Sequence, residues 1–137
     1  MDQNRYTPGI PDEIISNKIF VVRGKKVILD HDLAELYDVE TRRLNEQVKR
    51  NIDRFPADFM FKLTDGEFEN LKSQFATSSW GGRRKLPYAF TEQGVAMLSG
   101  VLHSKRAIKV NIQIMRVFTR MRKILETHTA ILKKLDD

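Results

Sequence analysis

The sequence predicts an α+β domain that carries a long helix at its C-terminal end. Three observations lead there. IFVVRGKKVILD, residues 19–30, alternates around a glycine as a hairpin does. From residue 30 to 55 the apolar residues change to helical spacing, in two short runs. From Val110 to Leu135 positions spaced 4-3-4-3-4-3-4, the repeat of a coiled-coil seam, are apolar except for His128, a polar residue within the seam. With 137 residues, 41% of them hydrophobic, the chain can bury one modest core and still carry an appendage.

Residues 1–18 read as a flexible N-terminal arm. Pro8, Gly9 and Pro11 stand in a polar context, and residues 12–18 add one helical turn. The hairpin follows: a strand at 19–22, a turn around Arg23, Gly24 and Lys25, and a strand at 26–29. Both arms are β-branched, and Gly24 supplies the turn.

DHDLAELYDVETRRLNEQVKRNIDRF, residues 30–55, reads as a short helix, a tight turn and a longer helix. Asp32 is the expected N-cap of the first helix, with Glu35 three residues on completing a capping box. Leu33, Leu36 and Tyr37 share one side. Asp38 stands where the turn needs a residue that tolerates left-handed geometry. Val39 is expected to plug the turn and Thr41 to cap the second helix. Leu44, Val48, Ile52 and Phe55 then form a core-facing stripe, and Pro56 ends the helix.

The outer faces of that second helix carry the functional signal. Arg42, Asn45, Glu46 and Lys49 form one polar stripe; Arg43, Gln47, Arg50 and Arg54 form another. Arg, Lys, Asn and Gln are the side chains that fork onto base edges or grip phosphates. An apolar buried side and an outer side of this kind suit the reading helix of a helix-turn-helix. A solvated basic surface helix would show the same spacing.

Residues 59–63 are expected to form a strand. A short helix then runs to about Gln74, capped by Thr64 or Asp65, with Phe68 and Leu71 inward. FATSSWGGRRK, residues 75–85, reads as a loop in which Gly81 and Gly82 precede Arg83, Arg84 and Lys85. Those cations are the second candidate DNA contact, with Trp80 as a stacking side chain or a loop anchor. Residues 86–90 are a strand that pairs with 59–63, and Thr91 caps the helix EQGVAMLSGVL. Gly94 and Gly100 in that stretch permit close packing or weaken the helix.

Ser104 opens the last helix, expected to form a separate region at residues 105–137 after a domain at 19–104 that is expected to bind DNA. Its first half is also apolar at Ile108, Ile112, Met115 and Phe118, so it should pack on the domain and offer a second face. Its second half has one apolar side and little protein left to cover it. Self-pairing through Val117, Met121, Ile124, Ile131 and Leu135 would cover it, and folding back on the domain is the alternative. Lys109, Arg116, Arg120 and Lys123, with Gln113 among them, line one flank; it reads as a solubilising face, and a second phosphate-contacting surface is the alternative.

The formal charge is +6 and the pI about 9.7, which favours acidic partners, nucleic acid first. The charge is uneven: residues 105–134 carry nine Lys and Arg against a single Glu, while residues 1–41 are net acidic. There is no cysteine, which excludes disulfides, thiolate catalysis and cysteine-bound zinc, and fits a cytoplasmic protein. No apolar run approaches the ~20 residues that span a bilayer.

Catalytic chemistry finds no constellation. His31, His103 and His128 fall on unrelated elements, and Asp30, His31 and Asp32 at a helix start read as caps rather than metal ligands. Gly81 and Gly82 lack the Lys-Ser/Thr ending of a phosphate-binding loop. The expectation is a binding protein, not an enzyme, with no cofactor, metal, membrane or small-molecule substrate.

Three stretches together resemble a known family. They are KVILDHDLAELYDVETRRLNEQVKRNIDRFPADFMFKLT, then GGRRKLPYAFTEQGVAML, then RAIKVNIQIMRVF. In this order they resemble the Orf-six-N domain family of bacterial and phage proteins, grouped with the KilA-N and Bro-N modules, over roughly residues 19–120. The turn's usual glycine is Asp38 here. The resemblance implies a DNA-binding module, often coupled to regulatory or antirepressor roles. The combined expectation is a sequence-specific binder of double-stranded DNA of phage or mobile-element type, acting as a homodimeric regulator or antirepressor. Its contacts would be Thr41, Arg42, Arg43, Asn45, Lys49, Arg50, Arg83, Arg84 and Lys85. The alternative is a protein-interaction adaptor that uses the last helix and binds DNA weakly.

Overall fold

A computed structural model describes residues 9–74 and 85–136. In chain order these form α1 (Asp12–Ser16), β1 (Ile19–Val22), β2 (Lys25–Leu29), α2 (Asp30–Tyr37), α3 (Thr41–Arg50), a 3-10 turn (Ile52–Arg54), β3 (Met60–Lys62), α4 (Asp65–Gln74), β4 (Tyr88–Thr91), α5 (Glu92–Leu98) and α6 (Lys105–Asp136). The strands make one antiparallel sheet in the order β1-β2-β4-β3. The fold is α+β with a long C-terminal helix.

Alternation along the strands divides the core in two. Ile28 and Phe90 face α2, α3, α5 and the first half of α6. Phe20, Val22, Val27, Leu29 and Ala89 face the other way, against Leu63, Phe68 and Leu71, so that α4 covers the second face. Phe55 packs edge-on against Phe90, ring centroids 5.9 Å apart, and closes the larger core beside α3.

The β1–β2 turn has Arg23 and Gly24 both in left-handed geometry, at φ 55° and 74°, with Val22 paired to Lys25. That is the twist a two-residue hairpin needs. Arg23 is a poor residue for it and is held by Glu67, Phe61 and Lys62. Its Nε donates to Glu67 Oε2 at 2.8 Å, its guanidinium lies 4.2 Å over the Phe61 ring, and a second nitrogen donates to the Lys62 carbonyl. Glu67 also closes a capping box with Thr64 at the start of α4. One carboxylate thus joins the hairpin to α4.

The strand positions, Asp38 as a left-handed residue (φ 60°), the Thr64 cap and the Ser104 start of α6 agree with the sequence reading. Other details differ. The segment 10–18 is not an arm: Ile15 is fully buried, and Gln113 of α6 donates to the Ile10 carbonyl and to Asp12. Arg120 closes an ion pair with Asp12. α2 begins at Asp30, with Leu29 as its N-cap and no side-chain cap. Asp32 is therefore inside the helix, buried beside Lys18 at 3.5 Å. Burial pushes its carboxyl above the ordinary range, against the pull of His31 and Lys18.

Thr41 is the first residue of α3 rather than its cap; Glu40 precedes it, and no side chain caps the helix. The helix stops at Arg50 because Asn51 leaves helical geometry (φ −121°) and gives its amide to the Gln47 carbonyl. The 3-10 turn that follows rotates Ile52 off the stripe to 52% exposure, while Leu44, Val48 and Phe55 stay buried. Val39 does not plug the turn; it is partly exposed, and its N–H bonds the Ala34 carbonyl to finish α2. Gly94 is a close-packing glycine: an added Cβ would meet the Phe59 carbonyl oxygen at 2.1 Å.

The hairpin clamp should leave a signature in acid. The Arg23 guanidinium and the Thr64 N–H hold Glu67 at a pKa of about 2, below its ordinary 4.5. Its contribution is complete above pH 4.5 and is lost as pH falls through 2. The difference in urea stability between the wild type and Glu67→Gln should stay constant from pH 7 to about 4.5 and close by pH 2. A difference that grows toward low pH would contradict the clamp.

Candidate nucleic-acid interface

Polar side chains from three elements meet at the start of α2. Strand β2 runs directly into α2, so Asp30 stands at the junction and is 1% exposed. Its Oδ1 accepts from the His31 N–H at 2.7 Å. Its Oδ2 accepts from Asn45 Nδ2 of α3 at 3.0 Å and from the Tyr88 N–H of β4 at 3.3 Å. A buried carboxylate needs such donors, and here they come from three separate segments. The His31 ring lies between Asp30 and Asp32, 3.6 Å from each. Among the described residues, no three His, Asp or Glu side chains come together as metal ligands.

This arrangement fixes α3 against the sheet. Leu44 and Val48 bury its inner side, while Arg42, Arg43, Lys49, Arg50 and Arg54 are exposed. Arg42 makes a long ion pair with Glu46 on its own helix, at 3.8 Å and well exposed, so it constrains little. Among the described residues Arg43, Lys49 and Arg50 have no carboxylate within ion-pair distance. Lys85 is exposed three residues before Tyr88, where the chain re-enters the sheet. The basic helix and that re-entry point are therefore tied to one carboxylate. Arg83 and Arg84, like Trp80, Gly81 and Gly82, lie outside the described residues.

Asn45 is engaged within the protein. It is half-buried, its amide is committed to Asp30, and its Oδ1 has no hydrogen-bond partner among the described residues. It positions α3.

A second polar junction anchors the other end of α2. The Tyr37 hydroxyl donates to Asn111 Oδ1 of α6, and Asn111 Nδ2 donates to the Val95 carbonyl of α5 at 2.7 Å. Burial pushes the Tyr37 phenol far above its ordinary pKa. Arg106 Nε donates to the Leu36 carbonyl at 3.2 Å, satisfying a backbone group at the end of α2. The first half of α6 is thereby part of the domain. Val117 is buried in that core and is unavailable to a partner, so any shared seam starts at Met121, which is half-buried. Ile124 is 69% exposed, and Leu125, Ile131, Leu132 and Leu135 are exposed with it.

The sequence reading did not find Asp30 or Asn111 as ties. Each carries a faint signal: an acid joined without a spacer to the strand VIL, and an amide between two apolar residues of a core helix.

If Asp30 holds α3, removing either partner should be felt. Asn45→Ala should lower urea stability by about 1–3 kcal/mol, and Asp30→Ala by at least as much, because it strands the Asn45 amide and the Tyr88 N–H. An Asn45→Ala protein as stable as the wild type would remove this bond from the account.

Among the described residues no helix is long and apolar enough to cross a membrane. No curated protein and no solved structure matches the chain. The family model of the ORF6N domain matches residues 17–101, from the residues leading into β1 to just beyond α5. That is more than half of the sequence and includes Asp30, all of α3 and Tyr88. The chain belongs to the ORF6N domain family.

Proposed function

We propose that this protein binds double-stranded DNA in a sequence-selective manner, with α2 and α3 working as a helix-turn-helix, and that it acts as a regulator of phage or mobile-element type. The observation that carries the reading is the outer face of α3. Arg42, Arg43, Lys49 and Arg50 are exposed on a helix whose inner face is locked by Leu44, Val48 and the Asp30–Asn45 bond. A basic helix whose backbone is held in this way meets phosphates and base edges with only its side chains left to order. No side chain caps α3, so the N–H groups around Thr41 are suited to a phosphate. In sequence, Arg83, Arg84 and Lys85 are the second basic run proposed to contact DNA. Readout falls to the arginines and Lys49, with Asn45 holding them in place.

Duplex DNA affinity should then depend steeply on salt. With about six phosphates neutralised, it should fall roughly a thousandfold between 50 and 200 mM salt. Arg43→Ala and Arg50→Ala should each weaken binding at fixed salt. Fluorescence anisotropy on a labelled duplex gives both. Binding that is undetectable at low salt, or indifferent to salt, would falsify the proposal.

The distal half of α6 supports a homodimer. Its aliphatic row has no cover among the described residues, and a lone helix of this length is marginal in water. Pairing Met121, Ile124, Ile131 and Leu135 across a two-fold axis would bury it and would place two copies of α3 on an inverted repeat. Ile124→Asp should give a folded monomer with much weaker DNA binding. Light scattering that finds the unmutated protein monomeric at tens of micromolar would remove the dimer. The same exposed row favours a second reading, an adaptor that grips another protein through α6 and binds DNA weakly; the salt titration separates the two.

A further inference from the structure

The first half of α6 has two long sides besides its core side, and they have been treated differently. On one side the chain covers α6 with its own acidic helix. α1, DEIIS, seats Asp12 on Arg120 and Gln113 and buries Ile15 in the core. The other side is a groove of about 500 Å³ between α5 and α6. Ala96, Ile108, Ile112 and Met115 form its apolar floor, and Arg116 stands on its rim, with Arg120, already paired to Asp12, at the boundary with the α1 side. Ile108 and Ile112 are 48% and 47% exposed, so the apolar row is open along its length.

We propose that this groove receives an amphipathic helix of another protein, with an aliphatic row for the floor and carboxylates for the rim. Charge decides against a second copy of this chain. Arg122 is already paired with Glu92 of α5; beyond it, the free part of distal α6 carries Lys123, Lys133 and Lys134 against Glu126 and Asp136, so it would bring a net positive charge to a cationic rim. Charge decides equally for an acidic partner. Arg116 has no ion pair among the described residues, and Lys109 and Lys123 fall on the same flank. The α1 contact supplies the pattern: an acid on an α6 arginine, with an isoleucine three residues later turned to the core. From Ile108 to Thr119 the groove runs along about three turns of helix, and the occupant should match that length. α3 does not line the groove, so the two surfaces can act independently.

The test uses the full chain and two designed helical peptides. Both carry leucines at i, i+4, i+7 and i+11; one has glutamates on the flank and the other lysines. The glutamate peptide should bind with saturable fluorescence anisotropy and the lysine peptide should not. Ile112→Asp should weaken the glutamate peptide by about tenfold or more. Arg116→Glu should weaken it by at least roughly threefold and improve the lysine peptide. Duplex DNA affinity and oligomeric state should be unchanged in both variants, which keeps this result separate from the DNA-binding reading. Equal binding of the two peptides, or of neither, would overturn the proposal. Loss of self-association in Ile112→Asp would assign the groove to a second copy, and loss of DNA affinity in Ile112→Asp would assign it to DNA; either overturns it too.

Discussion

The structure depends on a carboxylate in a place where carboxylates are costly. Asp30 stands at the point where a strand becomes a helix, almost wholly out of water. An unsatisfied charge there would cost several kcal/mol. The donors that offset that cost are a backbone N–H of α2, a side-chain amide of α3 and a backbone N–H of β4. Apolar packing alone would let α3 slide or roll on Leu44 and Val48, since hydrophobic contact is non-directional. A hydrogen bond from Asn45 to a fixed carboxylate sets both its rotation and its height.

α2 is then a strut with a polar junction at each end. Asp30 ties its start to α3 and the sheet, and Tyr37, Asn111 and Arg106 tie its end to α5 and α6. The arginines of α3 and the first half of α6 are thereby parts of one rigid frame. The distal half of α6 leaves that frame at about Met121, where burial ends, and carries its aliphatic row away from the domain. This division gives the molecule three surfaces with different chemistry: a basic helix, an apolar groove with a cationic rim, and a projecting aliphatic stripe.

Much of the fold was legible because it rests on periodicity and turn chemistry. The hairpin, the strand pairing of 59–63 with 86–90, the Thr64 and Thr91 caps and the extent of α6 all follow from patterns local to the chain. The misreadings share a cause. Asp32 and Thr41 have the residue types of caps, yet the neighbouring strand and turn already set where each helix starts, so neither cap is made. Segment 10–18 looks like an arm because its partner, α6, lies about a hundred residues away in sequence. The bond from Asn45 to Asp30, fifteen residues earlier, was likewise hidden, because the residue type of Asn45 points equally to a base reader. Which face of α3 is outward was readable; which polar residue on its edge is used internally was not, because that is a long-range pairing.

The central claim is that α3, held by Asp30, is the surface that meets duplex DNA. The most direct measurement is a titration of isotope-labelled protein with a short duplex, followed by backbone amide NMR shifts. The account predicts that shifts concentrate between Thr41 and Arg50 and around residues 83–88, with α4 and the distal half of α6 little changed. Shifts confined to α6, with α3 silent at saturation, would contradict it.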